Sequence, residues 1–177
     1  MNYEIIAKSP GECSAEEICG FVALVEQGGE VAAGGLQHRV MAAANLAFMH
    51  SGRSLAGVAA LKNPNDSYRA RVAAASGIAL PKDLFSYELG WVFIATEARG
   101  NGYAQRLSQA ALAPAGVNGV FATSRTDNAA MHRTLVNLGF VASGSAYPSQ
   151  HGGYHLQLFT RVPPNNSFKP NLLRGSA

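Results

Sequence analysis

Cysteine is nearly absent: Cys13 and Cys19 are the only two in 177 residues. They lie six positions apart, with no second Cys or His pair at zinc spacing, which excludes a metal site of that kind. His151 and His155 are four apart but flank a Gly-Gly turn and do not share a helix face. So few thiols in a chain this long point to a reducing compartment. Charge is sparse too, at 14 % of residues with a formal net charge of +3. The basic residues Lys8, Arg39, Arg53, Arg69, Arg71, Arg99, Arg106, Arg125 and Arg133 are scattered. No block of like charge reads as a nucleic-acid arm, so a nucleic-acid partner is not expected. The 11 acidic residues form no cluster, which argues against a polycationic ligand. The mild positive excess suits an anionic ligand such as a nucleotide, although most soluble domains with this balance use it for solubility. Met1-Asn2-Tyr3-Glu4 is not a charged-then-apolar leader, and no apolar run approaches membrane-spanning length. The expectation is a cytoplasmic protein with no membrane partner.

What is present is apolar material, 47 % of residues, enough for one domain with a buried core. Tyr3 to Ala7 is β-prone and reads as the first strand. Ser14 and Glu17 form a capping box, followed by Ile18, Phe21, Val22 and Val25 at helical spacing until Gly28-Gly29. A second helix is expected over Leu36 to Ala43. Leu46 to His50 and Leu55 to Leu61 read as a hairpin turning at Ser51-Gly52-Arg53. Asn63-Pro64-Asn65-Asp66 ends it, and Tyr68, Val72 and Ala75 suggest a short helix or a covering loop.

Phe85 to Ala95 is the strongest strand signal. Tyr87, Leu89, Trp91, Phe93 and Ala95 alternate with Glu88, Gly90, Val92 and Ile94, and both faces are largely apolar. Tyr103, Leu107, Ala110 and Ala111 then mark an amphipathic helix. Val117 to Thr123 reads as a strand. Asp127 or Thr126 is placed to cap a helix carrying Met131, Leu135 and Leu138, which Gly139 closes before Phe140 starts a strand. Final strands near Val141 to Ser145 and Tyr154 to Arg161 flank a Pro-Ser-Gln-His-Gly-Gly loop. The order is mixed α/β with strand–helix–strand units in the second half. Residues 1–162 form the domain; residues 163–177, opening with Pro163-Pro164-Asn165-Asn166, read as a tail outside the core.

The chemistry-bearing stretch is Arg99-Gly100-Asn101-Gly102-Tyr103-Ala104, between a buried strand and a helix. Small residues let the backbone approach a ligand closely. Successive amides at a helix start carry partial positive charge and suit phosphates, and Arg99 adds a cation at the rim. A dinucleotide fingerprint would need glycine where Gln105 stands, and no Gly-Lys-Ser/Thr of a P-loop exists. Taken alone, the stretch is equally well an ordinary strand–turn–helix with glycine for the bend.

Glu88 through Leu112 resembles the acetyl-CoA-binding motif of the GNAT N-acetyltransferases, Arg/Gln-x-x-Gly-x-Gly/Ala, with Arg99, Gly102 and Ala104 in the defining places. Glu88-Leu89-Gly90-Trp91-Val92-Phe93-Ile94 looks like that family's fourth strand; a proline often stands where Thr96 is. Asn128, Met131-His132 and Leu138-Gly139-Phe140 resemble the second signature. The likeness covers residues 85 to 145. It implies an α/β (α+β) fold with a mixed, mostly antiparallel central sheet of about six to seven strands and about four flanking helices. It implies acetyl-CoA as cosubstrate and a small-molecule amine, an antibiotic or a metabolite, as acceptor. The pyrophosphate would rest on the amides of Arg99, Gly100, Asn101, Gly102, Tyr103 and Ala104. The pantetheine arm would run beside the fourth strand and bond main chain at Phe93 and Ile94. Asn128 would contact the cofactor arm, with helix capping as its other reading.

Glu88 falls where many relatives place their general base. A carboxylate in a mostly apolar strand would have a raised pKa, which suits that task; its other readings are a buried salt bridge or simple exposure at the sheet edge. The Ile94 amide can polarise the thioester carbonyl. The usual acid is a tyrosine seven residues after the motif asparagine, where this chain has Leu135; Tyr103 and Tyr147 are the candidates to replace it. His132 lies one turn beyond Asn128 and reads first as a solvated surface histidine, otherwise as a base or cofactor contact. Trp91 and Tyr87 read as core, or as walls of the acceptor pocket.

Asn165-Asn166-Ser167-Phe168-Lys169-Pro170 with Leu172-Leu173-Arg174-Gly175 resembles the translated recombination site ending integron gene cassettes, which would make this a mobile bacterial cassette protein; an arbitrary polar tail is the alternative. Other functional readings are acetylation of a protein N-terminus, a lysine or an aminoacyl-tRNA, and a non-catalytic acyl-CoA-binding protein. The resemblance also suggests a homodimer joined through sheet edges.

Overall fold

The computed structural model describes residues 3–29 and 34–162. Along the chain run β1 (Tyr3–Lys8), α1 (Ala15–Gln27), α2 (Leu36–Met41), β2 (Asn45–Ser51), β3 (Ser54–Lys62), α3 (Asp66–Ser76), β4 (Tyr87–Ile94), α4 (Tyr103–Leu112), β5 (Val120–Arg125), α5 (Ala129–Asn137), β6 (Val141–Pro148) and β7 (His155–Arg161). The seven strands form one sheet in the order β1-β2-β3-β4-β5-β7-β6. β1–β2, β2–β3, β5–β7 and β7–β6 are antiparallel, and β4–β5 is parallel. This is the mixed, mostly antiparallel α/β architecture expected, with five α-helices among the described residues. The proposed cassette tail lies outside the described residues.

Two compact units divide the chain. One contains the residues up to Asn63 together with Leu89–Gly116. Its core forms where α1 and α2 bring Ile18, Phe21, Val25, Leu36 and Val40 onto Leu46 and Phe48 of β2 and Val58 and Ala60 of β3. α1 begins where its sequence says: the Ser14 side chain accepts from the Glu17 amide and the Glu17 carboxylate from the Ser14 amide. Burial of a side chain such as Phe21, at 0 % exposure, contributes roughly 2–3 kcal/mol. α4 is tied to β2 by Asn45, whose buried side-chain amide donates to the carbonyls of Ala110 and Ala111 at 3.3 and 3.1 Å. Those carbonyls lie at the helix C-terminus, where intrahelical donors run out.

The other unit contains Pro64–Glu88 and the chain from Val117 on. Val72 of α3 packs with Ile78, Leu80, Phe85, Phe121, Tyr147 and Leu158. Where the sequence left helix or loop open, α3 is a helix of 11 residues, capped by Asn65, whose side-chain oxygen accepts from the Tyr68 amide at 2.8 Å. Its apolar stripe is faint because Arg69 and Ser76 share the buried face with Val72. β5 starts at Val120, not at Val117, which is 73 % exposed. Phe140 precedes β6, which starts at Val141. The cap of α5 is neither Asp127 nor Thr126. Asn128 accepts the Met131 amide at 3.0 Å, while Asp127 takes two bonds from the Arg125 guanidinium, at 3.0 and 2.7 Å. The nearby cation draws Asp127 away from the helix end.

Candidate active site

The strict alternation expected of β4 breaks at Trp91, the one non-glycine residue with positive φ (52°) among those described. A bulky residue there costs energy that packing must offset. The indole is held edge-on to Phe21 at 6.3 Å, with the Lys62 ammonium 4.9 Å from its centroid. Trp91 and Phe93 both pack against the α1 core. In β3, Gly57 lets β4 come close. A Cβ on Gly57 would lie 3.0 Å from both the Phe93 carbonyl oxygen and Ile94 Cδ1. The Phe93 carbonyl thus faces β3. Since successive peptide groups of a strand alternate in direction, the Ile94 peptide groups face the other way.

The chain leaves β4 through a short turn and enters α4 at Gly102. Arg99 folds back and donates from Nε to the Ile94 carbonyl at 2.8 Å, with its guanidinium 5.9 Å from the Phe93 ring centroid. The Asn101 side-chain amide donates to the carbonyls of Ala98 and Arg99 at 3.4 and 3.0 Å. Both side chains therefore brace the turn from within. Gly100 and Gly102 have φ of 82° and 73°, conformations that glycine adopts without cost, and nothing stands within 4 Å of where a Cβ would be. Gly102 is the N-cap of α4 and no side chain caps it. Tyr103 opens the helix, its ring 4.8 Å from that of Tyr3 and 5.5 Å from the Arg106 guanidinium. Phe93, Ile94, Arg99, Gly100, Asn101, Gly102, Tyr103 and Ala104 thus lie in one continuous piece of the first unit.

Glu88, at the start of β4, belongs to the second unit and is 2 % exposed, so it does not sit free at the sheet edge. Its Oε1 accepts from the Tyr68 hydroxyl of α3 at 2.8 Å. Tyr68 stacks on Phe121 at 6.5 Å, and Thr123 is within hydrogen-bonding reach of its hydroxyl. Burial, then the negative charge of Glu88, holds the Tyr68 pKa well above its ordinary value. Tyr147 of β6 is 8 % exposed and its hydroxyl has no hydrogen-bond partner among the described residues. Burial first and Glu88 second push it up to about 12, with Arg71 pulling the other way. Both phenols are held in the protonated, donor-capable form. Arg69 donates to the Phe85 and Ser86 carbonyls and lies 5.5 Å from the Phe121 centroid, close enough for Glu88 to act on its charge. Arg71 is exposed, 5.2 Å from the Tyr68 centroid.

Asn128 is also in the second unit, and its side-chain oxygen is engaged as the α5 cap, as its alternative reading held. His132 is not a solvated surface histidine. It is half-buried, its Nε2–H donates to the Arg125 carbonyl at 2.9 Å, and its ring lies 4.9 Å from Phe159. Leu135 is fully buried in the position where the usual tyrosine would stand. Of the two tyrosines suggested as replacements, Tyr103 packs in the first unit and Tyr147 lies near Glu88. Sequence reasoning missed Tyr68, Arg69 and Arg71. The available signal was an α3 whose buried face carries an arginine, which a purely structural helix face seldom does.

In sequence, no family model matches the chain and no curated protein matches it. In structure the likenesses are extensive. An acyl-CoA N-acyltransferase from Pseudomonas aeruginosa superposes with a TM-score of 0.65 at 15 % identity, over 90 % of this chain and 99 % of that one. Escherichia coli ElaA gives 0.66 at 15 % identity, over 90 % and 99 %. The ribosomal-protein-S18-alanine N-acetyltransferase of E. coli gives 0.60 at 11 % identity, over 93 % and 100 %. At such identities the likeness establishes the fold, which is that of the GNAT acetyltransferases.

Proposed function

We propose that this protein transfers an acetyl group from acetyl-CoA to the amine of a small molecule. The observation that carries the reading is the turn after β4: two glycines in left-handed conformations, open space above them, and a ten-residue helix entered without a side-chain cap. The turn fits a pyrophosphate, because a close-approaching backbone and a helix N-terminus both favour an anion. The direction of the Ile94 peptide groups, away from β3, fits a pantetheine arm laid along that strand end. Acetyl-CoA would supply an activated thioester carbonyl. The Arg99–Ala104 amides hold its phosphates, and Arg99 and Asn101 keep the turn in shape through their bonds to Ile94, Ala98 and Arg99. The Ile94 amide donates to the carbonyl oxygen as charge grows there. The family resemblance gives Glu88 the task of accepting the proton that the amine nitrogen releases as the amide bond forms. The carbon–sulfur bond breaks in the same exchange, and a thiol of pKa about 8.5 is a tolerable leaving group without a dedicated acid.

The test is calorimetric titration of acetyl-CoA into the wild type and Gly102→Asp, with thermal melts to establish that the variant is folded. Binding to the wild type that disappears when a carboxylate is set in the turn supports the reading. No binding to the wild type sinks it. Release of CoA thiol with an amine library, absent in Glu88→Gln while cofactor binding persists, assigns the base. Binding without turnover on any amine would leave an acyl-CoA-binding protein, the reading that Leu135 in place of the usual tyrosine favours.

A further inference from the structure

The surroundings of Glu88 narrow the acceptor, on the basis of the acetyl transfer proposed above. Three features of the second unit coincide. The Glu88 carboxylate is almost wholly buried and is bonded by Tyr68. The Tyr147 hydroxyl, itself more than nine-tenths buried and in the same core cluster as Tyr68, has no partner among the described residues. A buried hydroxyl left without a bond is costly, and where a fold retains one a ligand is a reason for it. The rings of Tyr68 and Phe121, stacked at 6.5 Å, put aromatic groups beside this anion, surroundings whose chemistry suits a cationic nitrogen.

The fifth residue is Arg71. It follows Tyr68 by one turn of α3, and its guanidinium rests 5.2 Å from the Tyr68 ring centroid. No acidic side chain among the described residues pairs with it, and it is exposed where Glu88 is buried. It is near enough to Tyr147 to act on that phenol's titration. Arg69 cannot serve in its place, because its guanidinium is committed to the Phe85 and Ser86 carbonyls. Glu88, Tyr68 and Arg71 therefore form a series of contacts that leads from a buried negative group to an exposed positive one. A polyamine would bring a second cation against Arg71. A planar, fork-shaped donor beside the site suits a carboxylate or a phosphonate.

We propose that the acceptor is a zwitterion, a primary amine that also carries an acid group, with its nitrogen between the Glu88 carboxylate and the Tyr147 hydroxyl and its acid group on Arg71. The nitrogen arrives as an ammonium, releases one proton to solvent to reach the attacking form, and gives the second to Glu88 as the amide bond forms and the thiolate leaves with CoA. The acid group takes no part in bond making.

The test uses a ladder of ω-amino acids from glycine to aminohexanoate against n-alkylamines of matching length, read as CoA thiol released. The expected result is that at least one amino acid exceeds its alkylamine by about tenfold or more in kcat/KM. Arg71→Ala then abolishes that ratio, chiefly through KM for the amino acid. Tyr147→Phe lowers kcat/KM for both kinds of acceptor. Alkylamines that outperform every amino acid, or a ratio that Arg71→Ala leaves intact, overturn the proposal. A second arm separates this idea from the acetyl-transfer reading: calorimetry of the same amino acids without acetyl-CoA. Amino-acid binding that Arg71→Ala weakens by about tenfold upholds the zwitterion site even if acetyl-CoA never binds. If no amino acid of the ladder binds or turns over, the proposal is wrong whatever acetyl-CoA does.

Discussion

Tyr68 and Tyr147 both feel the charge of Glu88, but only Tyr68 is bonded to it, so the same chemical change should act on them with opposite sign. Tyr68→Phe deletes the donor 2.8 Å from Glu88 Oε1 while the ring keeps its stack on Phe121. Hydrogen bonds to charged groups contribute roughly 1.5–3 kcal/mol, and losing this one in a buried setting should cost about 2 kcal/mol. Tyr147→Phe deletes a hydroxyl that is buried and has no partner. The folded state then no longer carries an unsatisfied group, so stability should hold or rise by up to about 1 kcal/mol. The assay is urea denaturation followed by circular dichroism, comparing midpoints at constant m. For a chain of 177 residues the two variants should also melt about 5 °C or more apart, Tyr68→Phe the lower. Equal losses in the two variants would refute the reasoning. They would mean that the Tyr147 hydroxyl is bonded in the folded protein, and the argument that it awaits a ligand would fall with it.

The same two phenols give a pH dependence. Their folded pKa values lie above the unfolded value, so the fold keeps its full stability below about pH 10 and loses it as pH rises further, for Tyr147 until about 12. For Tyr147 the shift from 10 to about 12 corresponds to roughly 2.7 kcal/mol at the alkaline end. Tyrosinate absorbance that Tyr68→Phe or Tyr147→Phe removes should therefore develop only above the ordinary phenol pKa and together with unfolding; its loss at the ordinary phenol pKa would contradict the reasoning. Gly57→Ala should destabilise by about 1–3 kcal/mol and weaken acetyl-CoA binding, because the new Cβ meets the Phe93 carbonyl and Ile94 Cδ1 at 3.0 Å and Met49 Cε at 3.1 Å. Unchanged melting and unchanged calorimetry would show that β4 does not depend on this close approach.

Much of the fold could be read locally. The capping box at Ser14 and Glu17, the stripe of Ile18, Phe21 and Val25, and the β2–β3 hairpin all depend on neighbours a few residues away, and they stand as read. So does the strand–turn–helix that carries Arg99, Gly100 and Gly102, because backbone freedom at glycine is a property of the residue itself. Helix α3 was half legible, since an arginine turned inward dilutes the apolar period that signals a helix. Competition between side chains was not legible at all. Asp127 or Thr126 reads as the cap of α5, with Asn128 as a cap only in its second reading, and the Arg125 guanidinium that holds Asp127 leaves the helix end to Asn128. His132 looked solvated until Phe159 and the Arg125 carbonyl closed over it. Trp91 looked like one step of a regular strand, and the packing of Phe21 and Lys62 around it sets a left-handed backbone that no local rule predicts. By itself the sequence determined the phosphate-suited turn and placed Glu88 on the strand leading to it. Only the tertiary structure decided what surrounds that carboxylate. Tyr68 and Arg71 arrive from α3 and Tyr147 from β6, and contacts between residues so far apart in sequence arise from packing, which a one-dimensional pattern does not record.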